Sequence, residues 1–170
     1  MIEHVIAQAV DAWLSPVIVV VGAEAQAIRH VVAMLPVEIA PNENWKSGMG
    51  SSISTGIRHL QQIAPDVVAV AILLSDQPLV KAMHLIAMRE LLRDSATNIV
   101  AAEYNRTLGV PAFFKHELFA DLAALAPDIG ARRILRGPGA HVSPYPLPEA
   151  AIDIDTPEDF AALNSRSEDV

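Results

Sequence analysis

Three stretches of this chain collect residue types able to do chemistry, and each lies where a strand gives way to a turn. Asp76 closes residues 67–75, apolar from Val67 to Leu74, and Gln77 and Pro78 follow it. An apolar run this continuous reads as a strand buried on both faces, as in a parallel sheet. Open α/β sheets bind their ligands beyond the carboxyl ends of such strands, so a carboxylate there can meet a ligand. Capping a helix opened by Pro78 is the competing role for Asp76. In the second stretch, Asp153-Ile154-Asp155-Thr156-Pro157-Glu158-Asp159, a strand over 151–154 would put Asp153 and Asp155 on one face, where a single ion could see both. Capping before Pro157 explains Thr156, Glu158 and Asp159 at least as well. The third is the loop Pro41-Asn42-Glu43-Asn44-Trp45-Lys46-Ser47-Gly48-Met49-Gly50-Ser51-Ser52. Its glycines allow close backbone approach, and the helix after it offers unpaired N–H groups to an anion or a base edge. A capped turn would look the same.

The elements that must position these residues alternate. Helical patterns cover residues 2–13, 23–35, 51–63, 78–93, 117–126 and 130–136; strand patterns cover 17–21, 37–40, 67–75, 98–102 and 111–114. An edge strand is expected near 141–143, a last short strand at 151–154, and a closing helix from Pro157. Strand alternating with helix means an α/β fold with a mostly parallel sheet. One domain over 1–164 and a polar tail over 165–170 account for the 170 residues.

Composition narrows the chemistry. With no cysteine, disulfides, thiolate metal sites and Cys nucleophiles are excluded. The six histidines form no ligand-spaced pair, which argues against zinc. A net charge of −8 argues against nucleic acid as a partner. The apolar runs are shorter than the roughly 20 residues a membrane helix needs, and no basic, apolar leader opens the chain. The expectation is a cytoplasmic protein with no membrane or nucleic-acid partner.

Taken in order, the motifs N-x-x-W-x-x-G-M-G-S-S-x-x-x-G-I, D-Q-P-L-V, G-V-P-A-F-F, D-x-G-A-R and D-I-D-T-P-E-D-F resemble the molybdenum-cofactor cytidylyltransferase branch of the MobA-like nucleoside-triphosphate transferases. The resemblance runs from the first helix to Phe160. It implies a Rossmann-like three-layer sandwich that transfers a nucleotidyl group, typically CMP from CTP to molybdopterin, with Mg²⁺. Carried over by position, Asp76 is the metal-binding aspartate, with Asp153 or Asp155 as a second acid near the metal. Ser52 marks the helix start that contacts the base; Asn42, Gly48, Ser51 and Gly56 surround it. Gln77, Pro78 and Arg132 are weaker candidates for acceptor or phosphate contacts. Arg132, Arg133 or Arg136 is available to hold phosphate, and at least two of the three are expected to face solvent. Partners implied are the nucleotide, a pterin acceptor, and either a second copy or a molybdoenzyme.

Two departures bear on activity. Ser75 stands where the family usually has glycine, narrowing the space beside the metal. The family also opens with a central strand and a loop of the form L-A-A-G-x-S-x-R-M-G-x-x-K, which is not found here. The nearest glycine turn, Gly22-Ala23-Glu24, carries an acid where that loop needs cations. Losing one preorganised donor costs roughly 3 to 4 kcal/mol at the transition state, so the 170 residues alone are expected to be inactive or slow. On the resemblance, the family's first central strand is expected to be missing from these residues as well. Either the strands at 17–21 and 67–75 pair directly, or another segment or chain lies between them, since buried unpaired edges are costly. The rival functions are a non-catalytic pterin- or nucleotide-binding module and a nucleotide-sugar transferase, for which Asp153-Ile154-Asp155 has the D-x-D form.

Overall fold

The computed structural model describes residues 1–154; Asp155, the 156–159 acidic turn and the 165–170 tail lie outside them. The described residues form, in chain order, α1 (Ile2–Asp11), β1 (Val17–Val21), α2 (Ala25–Val31), β2 (Val37–Pro41), α3 (Met49–Ile63), β3 (Ala69–Ile72), α4 (Ala82–Asp94), β4 (Ile99–Tyr104), β5 (Thr107–Lys115), α5 (Phe119–Ala123), α6 (Arg132–Leu135) and β6 (Val142–Pro146). Short 3₁₀ turns occupy Trp45–Ser47, His116–Leu118 and Pro148–Ala151. The fold is α/β with helices on both faces of the strands. Among the described residues no helix is long and apolar enough to cross a membrane.

The strands form two sheets. β1 and β2 pair in parallel, Val17 opposite Val37. The larger sheet has the order β3-β5-β4-β6. There β5 runs antiparallel to both β3 and β4, while β6 is parallel to β4. The reversal comes from a β4–β5 hairpin whose turn residues, Asn105 and Arg106, both have positive φ, 50° and 59°. That is the backbone of a type I′ turn. Val100, Ala101, Phe113 and Phe114 are buried at the heart of this sheet. Burying a side chain as large as Phe114 contributes about 1.5–3 kcal/mol.

Three expectations need correction. The strand expected over 67–75 is confined to Ala69–Ile72, and all four of its residues are half-buried. Among the described residues it is paired with β5 alone. Secondly, the helix expected from Pro78 begins at Ala82. Gln8 Oε1 of α1 accepts from the Ala82 N–H at 2.9 Å and fixes the start there. Finally, 151–154 is not a strand: the Pro148–Ala151 turn runs into irregular backbone. The same-face argument for Asp153 and Asp155 therefore loses its geometry. Direct pairing of β1 with β3 does not occur either.

Candidate functional site

Asp76 lies beyond the end of β3 and is fastened by its neighbours. Its carboxylate Oδ1 is buried, and its main-chain carbonyl accepts from the Ile154 N–H at 2.9 Å. Gln77 is only 2% exposed; its Nε2 donates to the Val110 carbonyl at 3.2 Å and the Ala150 carbonyl at 2.8 Å. His4 Nε2 of α1 donates to the Pro78 carbonyl at 2.9 Å. The 76–82 segment is thus tied to β5, to the 148–154 segment and to α1. With α4 starting only at Ala82 and capped by Lys81, Asp76 does not cap the helix that was expected to open at Pro78. The Ile154 bond also brings the exposed Asp153 beside the strand tip.

The 41–52 loop is organised by Asn42, 5% exposed. Its N–H bonds the Val21 carbonyl at 2.8 Å, continuing the β1–β2 ladder. Its Nδ2 donates to Ser51 Oγ at 2.8 Å and Ser52 Oγ at 3.0 Å, and its Oδ1 accepts from the Asn44 N–H at 3.0 Å. Both amide hydrogens are therefore spent inside the protein, and Asn42 positions the serine pair. Ser51 donates its own proton to the Gly48 carbonyl at 2.7 Å. The Ser52 hydroxyl has no acceptor among the described residues, so its proton is left for a ligand.

The glycines answer to packing. A Cβ on Gly48 would sit 2.5 Å from the Pro127 carbonyl oxygen, and one on Gly50 would sit 2.1 Å from that of Ala126. The Gly50 N–H donates to Pro127 at 2.9 Å. These glycines let the start of α3 dock on the 126–129 backbone, which differs from leaving room for a ligand. Gly56 sits against Val20 of β1, where a Cβ would come within 3.0 Å of Cγ2. Trp45 lies on Gly22 at the end of β1, 2.4 Å from where a Cβ would be, and Lys46 Nζ is 5.5 Å from its ring centre. Arg132, Arg133 and Arg136 are all exposed, and Arg132 follows the Gly130 turn that faces Met49 at the start of α3.

Sequence reasoning missed the ties made by His4, Gln8 and Gln77. His4 and Gln8 are spaced i, i+4 on one face of α1, a signal that was available. Two hollows, about 310 Å³ beside Ser15–Val17 and Leu35–Glu38 and about 200 Å³ beside Thr55, Arg58 and His59, include none of these site residues.

The donor chemistry decides which cation would fit. Among the described residues no three His, Cys, Asp or Glu side chains converge, and of these residues Asp76 and Asp153 are the carboxylates at the strand tip. That suits a hard ion such as Mg²⁺, which takes one or two carboxylates and completes its shell with water and phosphate oxygens. It does not suit a four-ligand zinc centre.

A carboxylate beyond the end of a strand lies where open α/β sheets bind their ligands. The family model of the MobA-like NTP transferase domain matches residues 1–144, and the chain belongs to that family. No curated protein matches the chain. Among solved structures it is similar to Rv0371c from Mycobacterium tuberculosis H37Rv (TM-score 0.78, 23% identity, covering 96% of this chain and 82% of that one). It is also similar to a manganese complex of Rv0371c from the same organism (0.73, 23%, 95% and 84%). A CMP:2-keto-3-deoxy-manno-octonic acid synthetase complexed with CTP shares the fold too (0.73, 11%, 99% and 88%).

Proposed function

We propose that this nucleotidyltransferase-family chain carries a CMP group from CTP to molybdopterin or a related pterin acceptor, with Mg²⁺ held by Asp76 and Asp153. The reaction joins an acceptor oxygen to the α-phosphorus of CTP and releases pyrophosphate. One observation carries the reading: the Ile154–Asp76 hydrogen bond of 2.9 Å draws the late acidic segment to the tip of β3. The bound cation would offset charge building on the transferred phosphoryl group. The residues of the chain do the rest. Gln77 and His4 hold the Asp76 segment in place, Asn42 presents Ser52, and the free Ser52 hydroxyl donates to the base. The manganese and CTP complexes of the similar structures support a divalent ion and a cytidine nucleotide.

The turn at the end of β1 favours low turnover, because Glu24, with φ 52°, stands there in place of a cation. For the same reason a binding module without catalysis is the second reading. Calorimetric titration with Mg²⁺–CTP tests the first. Binding is expected, weakened at least about tenfold (1.4 kcal/mol) in Asp76→Asn. Equal affinity in the variant removes the metal role. Binding without pyrophosphate release on addition of molybdopterin leaves the module.

A further inference from the structure

The end of the β1–β2 pair and the loop after it are joined by one connected set of contacts. The Asn42 N–H extends the ladder to the Val21 carbonyl, so Asn42 lies beside the end of β1, where Gly22 follows. Its side chain bonds both serines of α3 and the Asn44 N–H. The Asn44 carbonyl accepts from Ser47 Oγ at 2.6 Å and lies 3.2 Å from Ser51 Oγ. Asn44 is therefore pinned at both its N–H and its carbonyl, which fixes where the chain leaves it for Trp45. Among the described residues the indole makes none of these bonds. What it touches is Gly22, where a Cβ would lie 2.4 Å from Trp45 Cβ and 2.6 Å from Cγ. Gly22 has no positive φ, so its backbone asks for no glycine; the room beside it is what Trp45 takes. The side chain nonetheless stays 41% exposed. It sits at the carboxyl end of a parallel strand pair, where α/β sheets bind ligands, and shares Asn42 and Asn44 with the serine pair. Lys46 keeps Nζ 5.5 Å from the ring centre and forms no ion pair among the described residues. A cation–π contact at an exposed site is weak, so an anion can draw the ammonium away.

We propose that Trp45 is the platform on which the base of the nucleotide stacks, and that Lys46 passes from the ring to the phosphate next to the ribose. This platform rests on the nucleotide reading and adds to it the contacts made at the end of β1. Stacking accepts any base, because each has a π-face. Trp45 therefore supplies affinity, while the Ser52 hydroxyl supplies the choice among bases. Ring and ammonium also divide the ligand between them. A nucleoside needs only the ring, and a sugar phosphate only the ammonium. Neither contact passes through a metal, which separates both from the part played by Asp76.

Binding to the full chain in EDTA tests it, with cytidine, CMP and ribose 5-phosphate as probes. In Trp13→Phe, Trp45 is the remaining tryptophan and its emission reports the platform. Cytidine and CMP are expected to quench it, and ribose 5-phosphate to compete with CMP without quenching. By calorimetry, Trp45→Ala should weaken cytidine and CMP at least about fivefold, with most of the affinity kept in Trp45→Phe and that for ribose 5-phosphate unchanged. Lys46→Ala should weaken CMP about fivefold and leave cytidine alone. The platform is overturned if cytidine does not bind, or binds Trp45→Ala as it binds the unaltered chain. Loss of ribose 5-phosphate binding in Trp45→Ala marks a loop anchor and overturns it too. A Lys46→Ala loss shared by cytidine removes the phosphate role. With no metal present, Asp76→Asn should bind CMP normally. If Asp76→Asn loses Mg²⁺–CTP while Trp45→Ala keeps CMP, the platform fails and the metal reading stands; the reverse pattern sinks the metal role alone.

Discussion

Replacing Gln77 by Leu should show how far the Asp76 segment depends on one buried amide. Leucine keeps most of the volume and removes both donated hydrogen bonds. The two are unequal. The Ala150 bond is short, 2.8 Å, and Ala150 is fully buried, so its carbonyl would be left without a donor in a dry setting. Such an orphaned group costs about 1–3 kcal/mol. The Val110 bond is longer, 3.2 Å, and Val110 is half-buried, so water can replace it; its loss adds about 0.5 kcal/mol. The sum is about 1.5–3.5 kcal/mol of stability. For a chain of this size, 1 kcal/mol moves the melting temperature by about 2–4 °C, so calorimetry should show a fall of roughly 3–14 °C. Urea unfolding measures the free energy directly, and Mg²⁺–CTP affinity should fall with it, because Asp76 is the adjacent residue. A loss below about 0.5 kcal/mol, within the range of ordinary surface changes, would refute the claim that Gln77 fastens the site.

Arg106→Gly should stabilise the fold by about 0.5–1 kcal/mol, because the turn demands a positive φ that arginine adopts at a cost; thermal unfolding reads the change. In Gly50→Ala the new methyl would press on two backbone carbonyls, 2.1 Å from Ala126 O and 2.4 Å from Ile129 O, so a loss of about 3 kcal/mol is expected in urea titrations. Gly130→Ala meets only Met49 Sδ at 3.6 Å and should cost less than about 1 kcal/mol. Asn42→Ala forfeits three hydrogen bonds to groups that water can reach; about 1–2 kcal/mol should disappear, and heteronuclear NMR should show the Ser51 and Ser52 amides shifted.

The family and the α/β class were legible because they are written in ordered motifs and in the alternation of apolar runs. What stayed hidden was decided by contacts distant in sequence. Nothing near Pro78 announces that α4 waits until Ala82, since the cue is Gln8 on another helix. The hairpin was missed because Asn105-Arg106 lacks the glycine that usually marks such a turn. Gly48 and Gly50 read as ligand-facing because a turn glycine looks alike in sequence whatever it touches, and only the fold brings up the 126–129 backbone. The apolar run ending at Asp76 did mark a strand, but not one buried on both faces, since Ala69–Ile72 are only half-buried.

Trp45 also makes the chain its own optical gauge. The chain has two tryptophans; Trp13 is 83% exposed and its emission should resemble that of free indole in water, while Trp45 is 41% exposed and rests on the Gly22 backbone. With Trp13 exchanged for phenylalanine, the remaining emission would come from the loop that leads to Ser52. Its wavelength and quenching by iodide would then follow that loop without any added dye.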